Sequence, residues 1–143
     1  MENNHKTLSQ LLNEPWQGEV PTKADSYVLR SMYRLYGTQI GKFTVEDLRF
    51  IIGQGMLPEV FIPMAMEVLA KNILADGDFY EGDLLSSVLN IKESYWENHA
   101  KELSRFIDIL LRNQSVMDAF DGPRELVRAY DAFLTKWGDS AKA

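Results

Sequence analysis

A short acidic segment in the middle of the chain carries the residues best suited to metal chemistry. Asp76, Asp78, Glu81 and Asp83 place four carboxylates within eight residues, and carboxylate oxygens are ligands that Ca²⁺ and Mg²⁺ prefer. The spacing differs from the EF-hand pattern, which needs alternating oxygen ligands, a glycine and a distant glutamate. One interpretation is a small metal-dependent hydrolase that uses these carboxylates. The simpler interpretation is a turn, in which Asp76 and Gly77 end one helix and Asp83 caps the next.

The two histidines, His5 and His99, offer little catalytic chemistry. His99 and Glu102 stand on one side of a predicted helix, but a metal site needs a third ligand and the chain has no His-Glu-x-x-His motif. The chain also lacks cysteine and Gly-x-Ser-x-Gly, which excludes thiolate zinc sites, cysteine nucleophiles and a nucleophile elbow. We interpret Gly53-Gln54-Gly55 as a tight helix exit, because it lacks the other residues of a phosphate loop. The preferred prediction has no catalytic residue, metal ion or cofactor.

Net charge is the strongest signal in the composition. The 143 residues include 21 acidic and 15 basic side chains, for a formal net charge of −6. Seven acidic and two basic residues fall between positions 76 and 102. A local negative field of this kind attracts a basic partner and speeds its encounter, although it is also typical of a hydrated surface that maintains solubility. Such a chain is poorly suited to binding nucleic-acid phosphates, and its longest apolar stretch, interrupted by Pro63 and Glu67, is too short to span a membrane.

Apolar residues at helical spacing dominate the chain and predict an all-α fold of six to eight helices with short connections. No segment shows the sustained alternation of a strand. We predict a flexible N-terminus over residues 1–6, a single helical domain over 7–137 and a frayed C-terminus over 138–143. The helices are expected at about residues 7–12, 22–36, 44–52, 59–74, 84–89, 93–113 and 123–134.

Three of these helices carry more detailed predictions. Thr7 is expected to be the N-terminal cap of the first helix. The second helix is expected to end at Gly37 and to carry an apolar face of Val28, Leu29, Met32, Leu35 and Tyr36. In the fourth helix, Pro63 is tolerated only near the N-terminus. We therefore expect this helix to begin nearer Ile62, with the preceding residues in a separate turn.

Aromatic and methionine side chains suggest two ways of binding a partner. Tyr80, Tyr95 and Trp96 flank the acidic segment, and exposed aromatic residues often anchor interfaces. Trp96 lies on a helical apolar stripe and is expected to be buried. A methionine-lined groove that grips a partner helix is a further interpretation, a general helical adaptor. The methionines concerned are Met56, Met64 and Met66.

Three motifs that follow one another in a fixed order make the interpretation of the sequence more specific. They are Leu48-Arg49-Phe50-Ile51-Ile52-Gly53-Gln54, Pro63-Met64-Ala65-Met66-Glu67-Val68-Leu69 and Phe79-Tyr80-Glu81-Gly82-Asp83-Leu84-Leu85. With the opening Leu8-x-x-Leu11-Leu12…Trp16 and the later Tyr95-Trp96, the chain resembles immunity proteins of bacterial contact-dependent growth inhibition (CDI) systems, the CdiI type. The resemblance covers about residues 7–110.

The resemblance implies a protein that is not an enzyme and that acts in the cytoplasm. Such proteins bind and neutralise the C-terminal toxin domain of a cognate exoprotein delivered by a neighbouring cell, and many of these toxins are nucleases. Because nucleases that bind phosphate backbones tend to present basic clefts, the acidic segment is expected to face the toxin, with no nucleic acid or membrane as partner. The predicted contact residues are Asp76, Asp78, Glu81, Glu93, Tyr95 and Glu97.

The residues of the shared motifs are expected to support the fold rather than to contact the toxin. These residues are Arg49, Gln54, Tyr80, Gly82 and Asp83. We further expect Arg49 to be partly buried and to pair with a loop carboxylate such as Asp83, which would fix the third helix against the acidic segment.

Overall fold

The computed structural model describes residues 4–139, which form two compact units divided between Thr44 and Val45. The chain is 64% helical, with no strand in the described part, which confirms the all-α class. The single domain over 7–137 stays a prediction. The predicted flexible start (1–6) and frayed end (138–143) include residues 1–3 and 140–143, which lie outside the described residues.

The first unit contains two helices and a short 3-10 turn. Helix α1 spans Leu8–Leu12, α2 spans Tyr27–Tyr36 and the turn spans Ile40–Lys42. The predicted cap of α1 is confirmed, because the Thr7 hydroxyl accepts a hydrogen bond from the Gln10 amide while the Gln10 side chain accepts one from the Thr7 amide. This reciprocal pairing satisfies two N–H groups that a helix start leaves without partners.

The apolar side of α2 agrees only in part with the sequence prediction. Leu35 is buried as predicted, and Met32 and Tyr36 are half-buried. Val28 and Leu29 are exposed, whereas Ser31 is buried. Helical spacing shows that a stripe exists, but it does not show which part of the stripe meets a neighbour. The predicted stop at Gly37 is confirmed, since Gly37 is the C-terminal cap.

The second unit contains the other seven helices of the described chain. They are α3 Val45–Gly53, α4 Pro58–Lys71, α5 Asp83–Leu89, α6 Glu93–Glu97, α7 Ala100–Arg112, α8 Gln114–Asp118 and α9 Arg124–Trp137. Helix α4 packs against α3, α5 and α7, and α9 packs against α5 and α7. Seven predicted segments become nine helices in residues 4–139, because one predicted helix is divided and α8 was not predicted.

Helix α4 begins earlier than predicted. It starts at Pro58, directly after Leu57 in a left-handed conformation (φ 41°), and continues through Pro63. The expected start near Ile62 is therefore wrong. Pro58 suits a first helical position because its missing N–H has no partner to lose there. Pro63 removes one hydrogen bond from the helix, and burial of the neighbouring Phe61 and Ile62 side chains offsets that loss.

The predicted helix over residues 93–113 divides at Asn98 and His99. Asn98 ends α6, and its side-chain amide donates a hydrogen bond to the carbonyl of Ser94 at 2.8 Å. His99 precedes α7 with a non-helical backbone. Apolar spacing continues across this break, and a side-chain amide that competes for the helix carbonyls explains why spacing alone missed it.

Aromatic side chains join three helices of the second unit. Trp96 of α6 is buried, as predicted, and stacks on Phe106 of α7 with ring centroids 5.2 Å apart. Phe133 of α9 contacts both rings edge to face, at 5.5 and 5.1 Å. Such edge and stacked pairs add to the free energy gained from burying the rings, so α9 is part of the core that supports α6 and α7.

Candidate functional site

The carboxylate of Asp83 organises the acidic loop, which we define as residues 76–82. Only 3% of Asp83 is exposed, and its oxygens accept hydrogen bonds from the backbone amides of Gly77 at 2.6 Å, Phe79 at 3.1 Å and Tyr80 at 3.4 Å. The residue that caps α5 is Gly82, and Asp83 is its first helical residue. The prediction that Asp83 caps α5 is thus wrong. Its carboxylate instead accepts hydrogen bonds from the loop that precedes the helix.

A second buried carboxylate, Glu46 of α3, holds the same loop from another helix. Glu46 accepts a hydrogen bond from the Asp78 amide at 2.9 Å. It also accepts two from the Arg49 guanidinium, at 2.7 Å from Nε and 2.6 Å from Nη2. Charge-assisted bidentate bonds of this kind are among the strongest side-chain contacts. Arg49 Nε lies 4.0 Å from Asp83 Oδ2, so the expected pair exists, but Glu46 is the closer partner and sequence reasoning missed it.

Gly82 closes the loop against the last helix. Its φ of 88° lies in the left-handed region, and a Cβ at this position would collide with Cδ2 of Leu126 in α9. Only glycine combines that backbone conformation with so close an approach. The loop is therefore fixed by α3, by α5 and by α9.

The side chains that the loop presents outward are aromatic and acidic. Phe79 is 62% exposed and Tyr80 is also exposed. The Arg49 guanidinium lies over the Phe79 ring at 4.3 Å from its centroid, which is a favourable cation–π distance. The exposed carboxylates on the same loop belong to Asp76, Asp78 and Glu81. A rigid backbone thus displays a large apolar ring among negative charges.

A metal site in this loop finds little support in its geometry. Across residues 4–139, no group of three or more His, Asp or Glu side chains is arranged to hold a metal ion. Asp83, one of the four predicted oxygen donors, directs its oxygens to backbone amides.

The remaining predicted contact residues lie beyond the other end of α5. Glu93 of α6 forms an ion pair with Lys136 of α9 at 2.6 Å, and Glu97 is exposed. Tyr95 is 7% exposed. Since α5 runs from Asp83 to Leu89 between the loop and α6, the acidic stretch is continuous in sequence but forms two separate groups in space.

Tyr95 lines a groove of about 600 Å³, which we call the Tyr95 groove. The ring of Tyr95 stacks on His99 at 4.1 Å, and His99 Nδ1 lies 2.7 Å from the Tyr95 carbonyl oxygen. His99 is thus half-buried, and it lies just before α7 rather than on the predicted helix. The groove is lined by residues 52–56, 58, 59, 87, 90–92, 94, 95, 98 and 99.

The groove lining includes Gln54, which belongs to the first motif, and one of the three methionines of the predicted partner-binding groove. Gln54 of the first motif lines the groove and is exposed. Met56 lines the groove, Met64 is half-buried and Met66 is fully buried in the core. The three methionines therefore do not form the exposed strip that the helical adaptor interpretation requires.

Comparison with protein-family models gives a match over residues 10–106, to the family of CDI immunity proteins. The match covers more than half of the chain. The chain belongs to this family. Its members neutralise CDI toxins, so the partner that the family implies is a toxin protein. Searches of curated proteins and of solved structures gave no significant match.

The match places both candidate surfaces of this CDI immunity protein inside the family region. The acidic loop and the Tyr95 groove fall within residues 10–106, whereas α8 and α9 follow it. In the described part of the chain, no helix combines the length and the apolar character that a membrane span requires.

Proposed function

We propose that this CDI immunity protein neutralises a nuclease toxin by binding a basic surface of the toxin domain through the acidic loop. The family membership supports a toxin as the partner. A nuclease must hold a phosphate backbone, and the side chains that do so are Lys and Arg. A surface of exposed carboxylates complements such a cleft. The observation that carries the proposal is the exposure of Phe79 amid Asp76, Asp78 and Glu81 on a fixed backbone.

The fixed backbone matters because ordering a loop on binding costs free energy. Here the amides of Gly77, Asp78 and Phe79 are already bonded to Asp83 and Glu46. The loop therefore enters a complex with most of its conformational freedom already lost. The motif residues Arg49, Gly82 and Asp83 act in this proposal as support for the contact surface.

The exposed aromatic and acidic side chains of the loop have different roles in recognition. Aromatic rings that insert into a partner's pocket supply much of the affinity at many interfaces, and Phe79 is the most exposed ring of the loop. Charges at the rim mainly raise the association rate and select the partner. Asp76, Asp78 and Glu81 take this role, and Glu97 adds a charge beyond the other end of α5.

The proposed mode of action is binding in the cytoplasm, without catalysis, nucleic acid or membrane. The toxin domain arrives from a neighbouring cell as part of its cognate exoprotein and has to be captured before it acts. Electrostatic attraction serves this need because it increases the rate of encounter.

The test uses the toxin domain encoded immediately upstream of the immunity gene. Purified chain and toxin domain should form a complex at micromolar concentrations, and expression of the chain should protect cells that express the toxin. Phe79→Ala should weaken the complex about tenfold or more. Neutralising the loop with Asp76→Asn, Asp78→Asn and Glu81→Gln together should slow association at low salt and have little effect at high salt.

Glu67→Gln is the matched control, because Glu67 is an exposed carboxylate on α4, outside the loop. This substitution should leave the association and dissociation rates of the toxin complex unchanged. Absence of a complex at micromolar concentrations would contradict the function, and loop variants that behave like Glu67→Gln would contradict the assigned surface. A toxin domain that cleaves no nucleic acid would contradict the nuclease assignment.

A further inference from the structure

The dipeptide Asp-Gly occurs twice in the chain, as Asp76-Gly77 in the acidic loop and as Asp121-Gly122 between α8 and α9. This dipeptide can rearrange without an enzyme, because glycine has no Cβ to shield its amide nitrogen. After losing its proton, the nitrogen attacks Cγ of the preceding aspartate, and a carboxyl oxygen leaves as water. Water then opens the resulting succinimide ring at either carbonyl and gives aspartate or isoaspartate, so the reaction needs no other reactant.

The surroundings of Gly77 oppose this reaction. The Gly77 amide donates a hydrogen bond to Asp83 Oδ1 at 2.6 Å. Glu46 Oε1 is also close, since it would lie only 2.5 Å from a Cβ built on Gly77. Two carboxylates beside the amide keep its proton in place, because nearby negative charge disfavours the formation of another. The next two amides are bonded to the same carboxylates, so the backbone is not free to turn toward the Asp76 side chain.

The surroundings of Gly122 carry the opposite charge. The Arg124 guanidinium donates hydrogen bonds to the carbonyls of Phe120 and Gly122, the second at 3.3 Å from Nε. A positive charge nearby favours loss of an amide proton. Asp121 is exposed. Among residues 4–139, the Gly122 amide donates no hydrogen bond and the Asp121 carboxylate has no ion-pair partner. The same two residue types therefore occupy opposite environments.

We propose that Asp121-Gly122 is a site of spontaneous isomerisation to isoaspartate, and that Asp83 and Glu46 protect Asp76-Gly77 from the same reaction. This inference goes beyond the proposed function and does not depend on what the chain binds. Isoaspartate adds one carbon atom to the main chain directly before Pro123, the residue that precedes α9. Because α9 supplies Leu126 against Gly82, the modification should weaken the packing of α9 on the loop.

The first test ages the intact chain at neutral pH, below the temperature at which it unfolds. Trypsin then releases the two dipeptides in separate peptides, residues 72–92 and 113–124, and fragmentation by electron transfer distinguishes isoaspartate from aspartate. Isoaspartate should be about tenfold or more abundant at Asp121 than at Asp76, since one neighbouring charge changes an ionisation equilibrium by at least about that factor. Equal amounts at the two sites, or none at Asp121, would overturn the inference.

Ageing the same chain unfolded in urea provides the matched control. Both dipeptides then lie in water without Glu46, Asp83 or Arg124 beside them, so they should isomerise to similar extents. An excess at Asp121 that persists in urea would show that the flanking sequence, and not the fold, selects the site, and would contradict the inference.

Two variants test the cause and the consequence. Asp83→Asn retains a side-chain oxygen near Gly77 but removes the negative charge, so isoaspartate at Asp76 should rise severalfold while the amount at Asp121 is unchanged. An unchanged amount at Asp76 would contradict protection by Asp83, and the comparison with urea decides the matter if this variant does not fold. Asp121→Glu closes the larger ring far more slowly, so its unfolding midpoint in urea should survive ageing, whereas that of the unaltered chain should fall. Equal losses would contradict the effect on α9.

Discussion

The acidic loop and the Tyr95 groove lie at opposite ends of α5 and treat buried polar groups in opposite ways. In the loop, Asp83 and Glu46 accept hydrogen bonds from backbone amides and from a guanidinium, so their oxygens have partners inside the chain. In the groove, the phenol oxygen of Tyr95 has no hydrogen-bond partner in the described chain. The charged residues of the loop are thus satisfied by the fold, whereas the neutral phenol of the groove is not.

This difference teaches how to assign roles to residues that are close in sequence. A buried group with all its bonds made inside the chain is best explained by stability. A buried group with none, such as Tyr95 Oη or Trp96 Nε1 in the described residues, costs about 1–3 kcal/mol that the surrounding packing has to offset. Asp83 and Tyr95 are only twelve positions apart in an acidic stretch, yet this criterion separates them.

The largest effect is expected from removing the carboxylate of Asp83. Asp83→Ala leaves three loop amides without their acceptor and weakens the pairing of Arg49, so the free energy of unfolding should fall by about 3 kcal/mol or more. Urea unfolding followed by circular dichroism measures this. Asp76→Ala, which removes an exposed carboxylate from the same loop, should change stability by about 0.5 kcal/mol or less. Equal effects of the two substitutions would show that the loop is not held by Asp83.

A smaller effect should distinguish the glycines of the two regions. Gly82 in the loop and Gly55 in the groove both have positive φ, 88° and 73°. An added Cβ would collide with Leu126 at Gly82 and meet nothing within 4 Å at Gly55. Gly55→Ala should therefore cost about 1 kcal/mol from backbone strain alone, and Gly82→Ala about 2–4 kcal/mol. Thermal unfolding of the two variants tests this, and similar losses would argue against the contact between the loop and α9.

The last effect is absent at neutral pH and appears only at alkaline pH. Burial is the main cause that raises the pKa of Tyr95 and of Tyr130 to about 12, from an ordinary value of 10. The unfolded chain loses these protons first, so the stability that they contribute is complete below pH 10 and is lost as the pH rises toward 12. Each tyrosine should lower the free energy of unfolding by roughly 1.4 kcal/mol per pH unit in that window.

Unfolding in urea at pH values on both sides of 10 measures this dependence. Tyr95→Phe and Tyr130→Phe should each make the decline with pH shallower, although only the second should lower stability at neutral pH, because Tyr130 donates a hydrogen bond to the Leu110 carbonyl. A decline as steep in Tyr95→Phe as in the unaltered chain would mean that Tyr95 ionises normally in the folded state.

Local signals in the sequence were enough to locate several helix ends. Thr7 and Gly37 were identified correctly because a cap depends on residues only a few positions away. The break at Asn98 was missed because the apolar pattern continues through it. The burial of Ser31 in place of Val28 was missed because the sequence does not show which side of a helix finds a neighbour.

The candidate site was predictable only where a motif linked distant residues. The approach of Arg49 to Asp83 was expected from the ordered motifs, but Glu46 was not, although it lies three positions from Arg49 and bonds it more closely. Its contact with the amide of Asp78 spans 32 positions, and spacing carries no information over such a distance. Tyr95 was expected at a contact surface; its burial and its missing partner follow from tertiary packing.

The position of α9 has a consequence for how the chain folds. This helix supplies Leu126 beside Gly82, and Phe133 against Trp96 and Phe106. Both the loop and the aromatic core therefore need residues that follow the family region of 10–106, so neither can be completed before α9 has been synthesised. We expect a stop codon that removes α9 to abolish immunity even though residues 10–106 are intact.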